Sequence, residues 1–98
     1  MVETNYAKVP VDYMVDGVRR YLEHGIQPGD FLIALFSNDL KEAFKRADDA
    51  NTAAMRQWVA FMIWEMPVES QGSPARVEAW MKAGGFAGKI PGWREVEA

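Results

Sequence analysis

The most regular hydrophobic pattern near the amino end lies between residues 10 and 24. Five aliphatic side chains recur there at spacings of three and four, namely Val11, Met14, Val15, Val18 and Leu22. That spacing is typical of one face of an α-helix. Pro10 suits a first helical turn, where its missing N–H costs nothing, and Gly25 is a good left-handed stop. The pattern predicts a helix over 10–24.

Six consecutive apolar residues, 31–36, follow a turn at 26–29. A run this short is typical of either a buried strand or a buried helix, and periodicity does not decide between them. No second strand is predicted to pair with it, and a lone strand would leave its backbone groups without partners. We therefore predict a second helix, opened by Pro28 and Asp30.

Capping residues at 37–39 predict a third helix. Asp39 and Glu42 resemble a capping box, and Glu42 and Arg46 form an i,i+4 ion pair in the favourable order. The predicted inner stripe of this helix is Leu40, Ala43, Phe44 and Ala47. The polar stretch 48–51 either ends this helix and caps a new one or continues it, and the sequence leaves both readings open.

The strongest predicted element runs from Asn51 to Met66. Its wide apolar face comprises Ala54, Met55, Trp58, Val59, Met62, Ile63 and Met66. Phe61 and Trp64 extend this face almost around the helix. A helix that is hydrophobic nearly all round is expected to be buried on nearly all sides, and Pro67 is expected to end it.

A last helix is predicted to begin at Ser73 and Pro74 and to stop at Gly84, with Glu78 and Lys82 paired on its outer face. Residues 1–9 are interpreted as an amino-terminal arm and residues 84–98 as an irregular tail. The predicted fold is therefore all-α, a single domain over 1–98. It is a compact bundle of four to five helices around a buried central helix at about 51–66.

Composition excludes several classes of function but does not identify one. The 98 residues suffice for one domain, and 12% aromatic residues with six Met exceed what a small core needs, so we expect a homo-oligomer. A net charge of −3 without a basic cluster argues against nucleic-acid binding. The absence of Cys excludes disulfides and thiolate catalysis, and one His excludes a multi-His metal site.

Membrane insertion is not expected either. The longest apolar run, 58–64, is far too short to cross a bilayer, and residues 1–10 lack the charged start and apolar stretch of a signal peptide. The sequence therefore predicts no membrane partner and a location in the cytoplasm where the chain is made.

The densest polar chemistry lies between residues 37 and 51. The candidate ligand-binding residues there are Asn38, Asp39, Arg46, Asp48 and Asn51. A guanidinium can fork onto a phosphate or a carboxylate, and amides can hydrogen-bond a base or a ribose. Helix caps and surface ion pairs explain the same residues without any ligand, and the sequence favours that explanation.

A second cationic candidate is Arg19 with Arg20 and His24. These residues are suited to a phosphorylated ligand, although pairing within the helix, with Asp16 and Glu23, also accounts for the arginines. His24 is better explained by the negative end of a helix dipole than by general-base catalysis. The carboxylates of this chain have no metal-binding spacing, and the Gly-Lys of residues 88–89 is not part of a phosphate-binding loop.

Several linked motifs carry a resemblance. They are YLEHGIQPGDFL at 21–32, SNDL at 37–40, RAD at 46–48 with Asn51, and GSP at 72–74. Together they resemble a group of short proteins encoded by tailed bacteriophages and prophages, over residues 21–80. The resemblance implies a setting, phage infection of a bacterium, and no enzymatic activity, cofactor or mechanism.

In that setting we expect a non-enzymatic binding protein without cofactor or metal. The first hypothesis is that it antagonises host antiviral defence by sequestering a nucleotide-like signalling ligand. The alternative is a protein–protein inhibitor or adaptor that binds a host or phage protein through exposed aromatic side chains such as Trp93. The direction of Arg46 separates the two, because a nucleotide pocket requires it to line a concavity together with an Asn side chain.

Overall fold

Short helices separated by capping residues build the whole molecule. The computed structural model describes residues 4–93. Within that range there are seven α-helices and no strand: α1 (Val15–His24), α2 (Asp30–Phe36), α3 (Leu40–Arg46), α4 (Asp49–Ala53), α5 (Met55–Glu65), α6 (Pro74–Ala83) and α7 (Gly85–Lys89). Three 3₁₀ turns accompany them at Tyr6–Lys8, Asp12–Met14 and Val68–Ser70. The all-α class is confirmed, with more and shorter helices than the predicted four to five.

The predicted helix caps form as hydrogen bonds. Side-chain oxygens accept backbone N–H groups three residues later in three places: Asp39 from Glu42 at 3.3 Å, Asp48 from Asn51 at 2.8 Å, and Ser73 from Arg76 at 3.1 Å. Gly25 ends α1 with a φ of 68°, and Gly84 ends α6 with a φ of 82°. These left-handed conformations are costly for any residue with a Cβ atom.

Three predicted boundaries differ from the structure. The helix predicted from residue 10 begins as a 3₁₀ turn at Asp12, because Val11 keeps an extended backbone that buries its side chain in the core. The segment 51–66 consists of α4 and α5, which meet at Ala54. Of the two readings left open for 48–51, the structure has the break, because α3 ends at Arg46 and Asp48 caps α4. The tail predicted to be irregular begins with α7.

Aromatic residues from distant parts of the chain form one core. The largest fully buried side chains are Trp58, Trp80, Tyr21, Phe36, Phe61, Leu22, Leu32 and Val18. Both buried indole N–H groups have acceptors: Trp58 donates to Asn51 Oδ1 at 2.9 Å and Trp80 to the Tyr21 carbonyl at 3.0 Å. The radius of gyration of 12.9 Å matches the value of about 13 Å expected for a compact domain of this length.

Backbones pack directly against one another where α1 ends. A Cβ atom at Gly85 would lie 2.5 Å from the Leu22 carbonyl oxygen, and one at Gly25 would lie 2.8 Å from the Met81 carbonyl oxygen. Glycine at both positions therefore allows the end of α1 to contact the junction of α6 and α7 without an intervening side chain.

The described parts of the arm and the tail pack onto the helices. Thr4 Oγ1 donates to the Glu65 carbonyl at 3.0 Å, the Asn5 N–H donates to Glu65 Oε1 at 3.0 Å, and Val9 is buried. At the other end, the Phe86 ring lies edge-on to Trp80 and stacks on Trp93. The remaining residues of these two segments, 1–3 and 94–98, lie outside the described range.

Burial on nearly all sides is wrong for the central segment. Its inner face, Met55, Trp58, Phe61 and Met62, is buried, whereas Val59, Ile63 and Trp64 point into solvent. The predicted inner stripe of α3 is also incomplete, because Ala43 is buried while Leu40 and Phe44 are exposed. The core is too small to cover both sides of these helices, so an apolar surface remains outside.

No helix within residues 4–93 has the length and apolar character needed to span a membrane. Over the same residues, no three His, Cys, Asp or Glu side chains converge in a way that could hold a metal ion.

Candidate interaction site

The predicted ligand residues on α3 and α4 have separate structural tasks. Asp39 and Asp48 are N-caps, and each already accepts a backbone N–H from its own helix. Asn51 is 3% exposed, and its Oδ1 atom accepts the Trp58 indole N–H. Asn51 therefore faces the core, where it cannot contact a ligand bound at the surface.

Arg46 lies on the surface and is paired there. Its Nε atom is 2.7 Å from Glu42 Oε2, and its Nη1 atom is 3.7 Å from Asp30 Oδ2. The hydrogen bond from Arg46 lowers the pKa of Glu42, and the same bond raises the pKa of Arg46. None of the four cavities described below, within residues 4–93, is lined by Arg46 together with an Asn side chain, which is the arrangement that a nucleotide pocket requires.

A second surface interaction, a hydrogen bond, joins the 3₁₀ turn at Asp12–Met14 to the start of α4. The Tyr13 hydroxyl donates to Asp48 Oδ2. This hydrogen bond is the main cause that raises the pKa of Tyr13 and lowers the pKa of Asp48. It fixes the start of α4 against residues 12–14 and occupies the second oxygen of a carboxylate that already caps a helix.

Two of the cationic candidates on α1 contact aromatic rings. The Arg19 guanidinium lies over the Tyr6 ring, 4.5 Å from its centroid, which is cation–π geometry. His24 approaches Trp93 edge-on at 6.4 Å between ring centroids, and Arg20 is exposed. The aromatic contacts account for the positions of Arg19 and His24 without a phosphorylated ligand.

Of the predicted site residues, Asn38 and Asp39, which are neighbours in sequence, line an apolar groove between α3 and α5. The groove has a volume of about 200 Å³ and is lined by Leu35, Asn38, Asp39, Leu40, Ala43, Met55, Val59, Met62, Ile63 and Gln71. Asn38 takes a left-handed conformation with φ of 64°, which directs the chain from α2 into α3. Asp39 is the one charged residue in this lining, and Arg19, Arg20 and His24 lie outside it.

The rims of the groove are exposed aliphatic side chains. Leu40 and Ile63 are each 63% exposed and Val59 is 43% exposed, while Leu35, Ala43 and Met62 are buried beneath them. The sequence pattern predicted a core position for all of these residues. The signal that distinguishes them is narrow: Val59 and Ile63, at i,i+4 spacing, share a side of α5 that is turned about 100–140° away from Trp58.

Three further depressions are shallower, and two of them carry mixed charge. One of about 440 Å³ lies beside Trp64 with Lys8 and Glu65, and one of about 450 Å³ holds Arg76 and Glu69. The third, about 570 Å³, is bordered by Pro10, Tyr13 and Ala53 and has Asp12 as its charged residue. None of the three combines two cationic side chains, which a phosphorylated ligand would require.

Comparison with known proteins gives no relative for this chain: no family model, no curated protein and no solved structure matches it.

Proposed function

We propose that this chain is a phage-type, non-enzymatic binding protein that acts by docking an amphipathic helix of a host protein in the groove between α3 and α5. The observation that carries the proposal is the groove itself, with a buried apolar floor and exposed aliphatic rims. Helix-in-groove recognition requires this kind of surface. The phage setting comes from the sequence resemblance and makes a host defence protein the expected class of partner.

The size of the groove favours side chains over a nucleotide. Small-molecule sites usually enclose about 300–1,000 Å³. The groove offers about 200 Å³, which is room for one or two aliphatic side chains of a docked helix. The arginines expected to hold phosphates, Arg19, Arg20 and Arg46, do not line it. Geometry therefore supports the protein-binding hypothesis over sequestration of a nucleotide-like ligand.

The lining also indicates the chemistry of the partner helix. Asn38, Asp39 and Gln71 supply the polar atoms at the groove, and Asp39 supplies its one carboxylate. A complementary helix presents apolar residues at i, i+3 or i+4, and i+7, with a Lys or Arg at the end that approaches Asp39. Its apolar side chains occupy the space between Leu40 and Ile63.

The test is a displayed library of helical peptides selected against the purified protein. We expect enrichment of peptides with the apolar spacing described above and one basic end. The Leu40→Glu variant should weaken their binding at least about 30-fold, since it places a charge on the groove rim. Leu40 is 63% exposed and begins α3, so a Glu there is compatible with folding.

The matched control is Val68→Glu, which introduces the same charge at a residue that is 69% exposed and outside the groove. This control should leave peptide binding unchanged. Enriched peptides that bind wild type and Leu40→Glu equally would contradict the proposal. Calorimetry with cyclic and ADP-ribose-type nucleotides tests the other hypothesis, and saturable binding of one of them, unaffected by Leu40→Glu, would overturn docking in favour of sequestration.

A further inference from the structure

The most exposed large apolar side chain in the described range is Trp64. It is 77% exposed at the carboxyl end of α5, on a side of the helix away from Trp58. Indole rings are among the most favourable anchors of protein interfaces, because they bury a large area with little loss of side-chain freedom. An indole held in water on a rigid helix therefore indicates a surface that is normally covered.

A small residue, Ala60, lies next to Trp64 on the surface of α5. Ala60 precedes Trp64 by one helical turn on the same face, and a depression of about 440 Å³ beside Trp64 is lined by Ala60, Gln57 and Phe61. One face of α5 thus carries a projection and, one turn before it, a space. A helix with a projection and a space at this distance is complementary to itself when two copies run antiparallel.

We infer that the outer face of α5 binds α5 of a second copy of this chain, in an antiparallel, two-fold symmetric pair that places Trp64 of each copy over Ala60 of the other. Two-fold symmetry makes every contact occur twice, so both indole rings become covered in one step. The arrangement uses the Trp64 side of the helix and leaves the Leu40 rim of the groove outside the contact. It does not depend on the function proposed above.

Charges along α5 match the antiparallel direction. Arg56 lies at the amino end of the exposed face, while Glu65 and Glu69 lie at or beyond its carboxyl end. At 1.5 Å per residue, Arg56 is about 9 Å from the midpoint between Ala60 and Trp64. Antiparallel pairing brings that basic end to the acidic end of the second copy, whereas parallel pairing would place like charges together. Within the part of the chain that the structure describes, Arg56 and Glu69 make no ion pair.

The depression beside Trp64 also carries one positive and one negative charge, from Lys8 and Glu65. Both residues line it, and Glu65 is held in place by the Thr4 and Asn5 hydrogen bonds. The docked arm therefore contributes one wall of the space that receives the indole ring. A single helix pair covers less than the ~800 Å² per partner of a standard interface, so the dimer is expected to dissociate on dilution.

Sedimentation equilibrium over a range of protein concentrations tests this inference. Wild type should show a reversible monomer–dimer equilibrium. The Trp64→Glu variant should raise the dissociation constant at least about 30-fold, whereas Ile26→Glu, an equal change at an exposed apolar residue in the turn between α1 and α2, should leave it near the wild-type value. Circular dichroism of each variant checks that the fold is retained.

A charge exchange tests the direction of the pair. Arg56→Glu should weaken the dimer because it places three carboxylates near one another, and adding Glu69→Arg to the same chain should restore part of the lost affinity. A monomeric wild type at millimolar concentration would overturn the inference, and so would a dimer that Trp64→Glu does not weaken. Peptide binding measured on Trp64→Glu keeps the two proposals separate, since docking in the groove should survive in the monomer.

Discussion

Both faces of α5 carry large apolar side chains, yet their surroundings are opposite. Trp58, Phe61 and Met62 are at most 9% exposed, whereas Ile63 is 63% and Trp64 is 77% exposed. Apolar character is therefore not what decides burial along this helix. The side that faces α2 and the rest of the core is covered, whereas the other side leaves its apolar side chains exposed to solvent.

The same contrast appears in polar residues. Asn51 is buried and accepts the Trp58 N–H, whereas Asn38 is exposed and forms a left-handed turn. Tyr21 is buried and donates to the Ser70 carbonyl at 2.6 Å, whereas Tyr13 is 63% exposed and donates to Asp48. Burial raises the pKa of Tyr21, while the hydrogen bond to Asp48 is the main cause that raises the pKa of Tyr13. Each pair offers a matched test of what the inner and outer surfaces do.

The two tryptophans of α5 should give the largest difference. Trp58→Ala removes a fully buried indole and leaves the Asn51 amide without its donor, so it should lower the free energy of unfolding by about 3–5 kcal/mol. Trp64→Ala should change it by less than about 0.5 kcal/mol in the monomer. Urea unfolding followed by circular dichroism, at a concentration where the wild type is monomeric, measures both. Equal losses would mean that the outer face supports the fold as much as the inner face does.

Local chemistry made much of the fold predictable from sequence. Caps at Asp39, Asp48 and Ser73, the glycine stops and the Pro67 break act through neighbouring residues, so they can be recognised from a short stretch of chain. The run 31–36 required one long-range argument, the lack of a partner strand, and that argument gave the correct helix. The burial of Val11 depends on tertiary packing, and it moved the start of the first helix away from the proline signal.

The candidate site was predicted less well, because tertiary contacts decide it. Asn51 has the residue type of a ligand-binding amide, but its Oδ1 atom accepts a hydrogen bond from the Trp58 indole, which lies on the next helix. Leu40 and Ile63 have the residue type of core residues, and only the tertiary structure, which places both along one groove, shows that they form rims. A helix that is apolar nearly all round does not reveal from its sequence which side the core covers, and in α5 the core covers only the side of Trp58, Phe61 and Met62.

The two asparagines extend the comparison to buried polar groups, with a smaller expected effect. Asn51→Ala leaves the Trp58 N–H without an acceptor in the core, so we expect a loss of about 1–3 kcal/mol. Asn38→Gly, at an exposed left-handed position that suits glycine, should change stability by less than about 1 kcal/mol. Chemical denaturation of the two variants beside wild type provides the measurement. A large loss of stability in Asn38→Gly with none in Asn51→Ala would show that the exposed amide, and not the buried one, supports the fold.

The smallest effect should come from the exposed hydroxyl of Tyr13, and it depends on pH. The bond from Tyr13 is the main cause that lowers the pKa of Asp48 below its ordinary value of 3.8 and that raises the pKa of Tyr13 above 10.0. A lowered carboxyl pKa in the folded state adds stability above about pH 4, which is lost as pH falls through the lowered pKa. A raised phenol pKa adds stability below about pH 10, which is lost as pH rises through the raised pKa. The bond should therefore stabilise the folded state between these two pH limits.

In Tyr13→Phe, carboxyl carbon NMR should show the Asp48 pKa moving upward toward 3.8, whereas Tyr6→Phe, which removes a hydroxyl elsewhere, should leave the Asp48 pKa in place. An Asp48 pKa that stays equally low in Tyr13→Phe would show that the backbone N–H of Asn51, and not the outer-surface tyrosine, sets the charge of this cap.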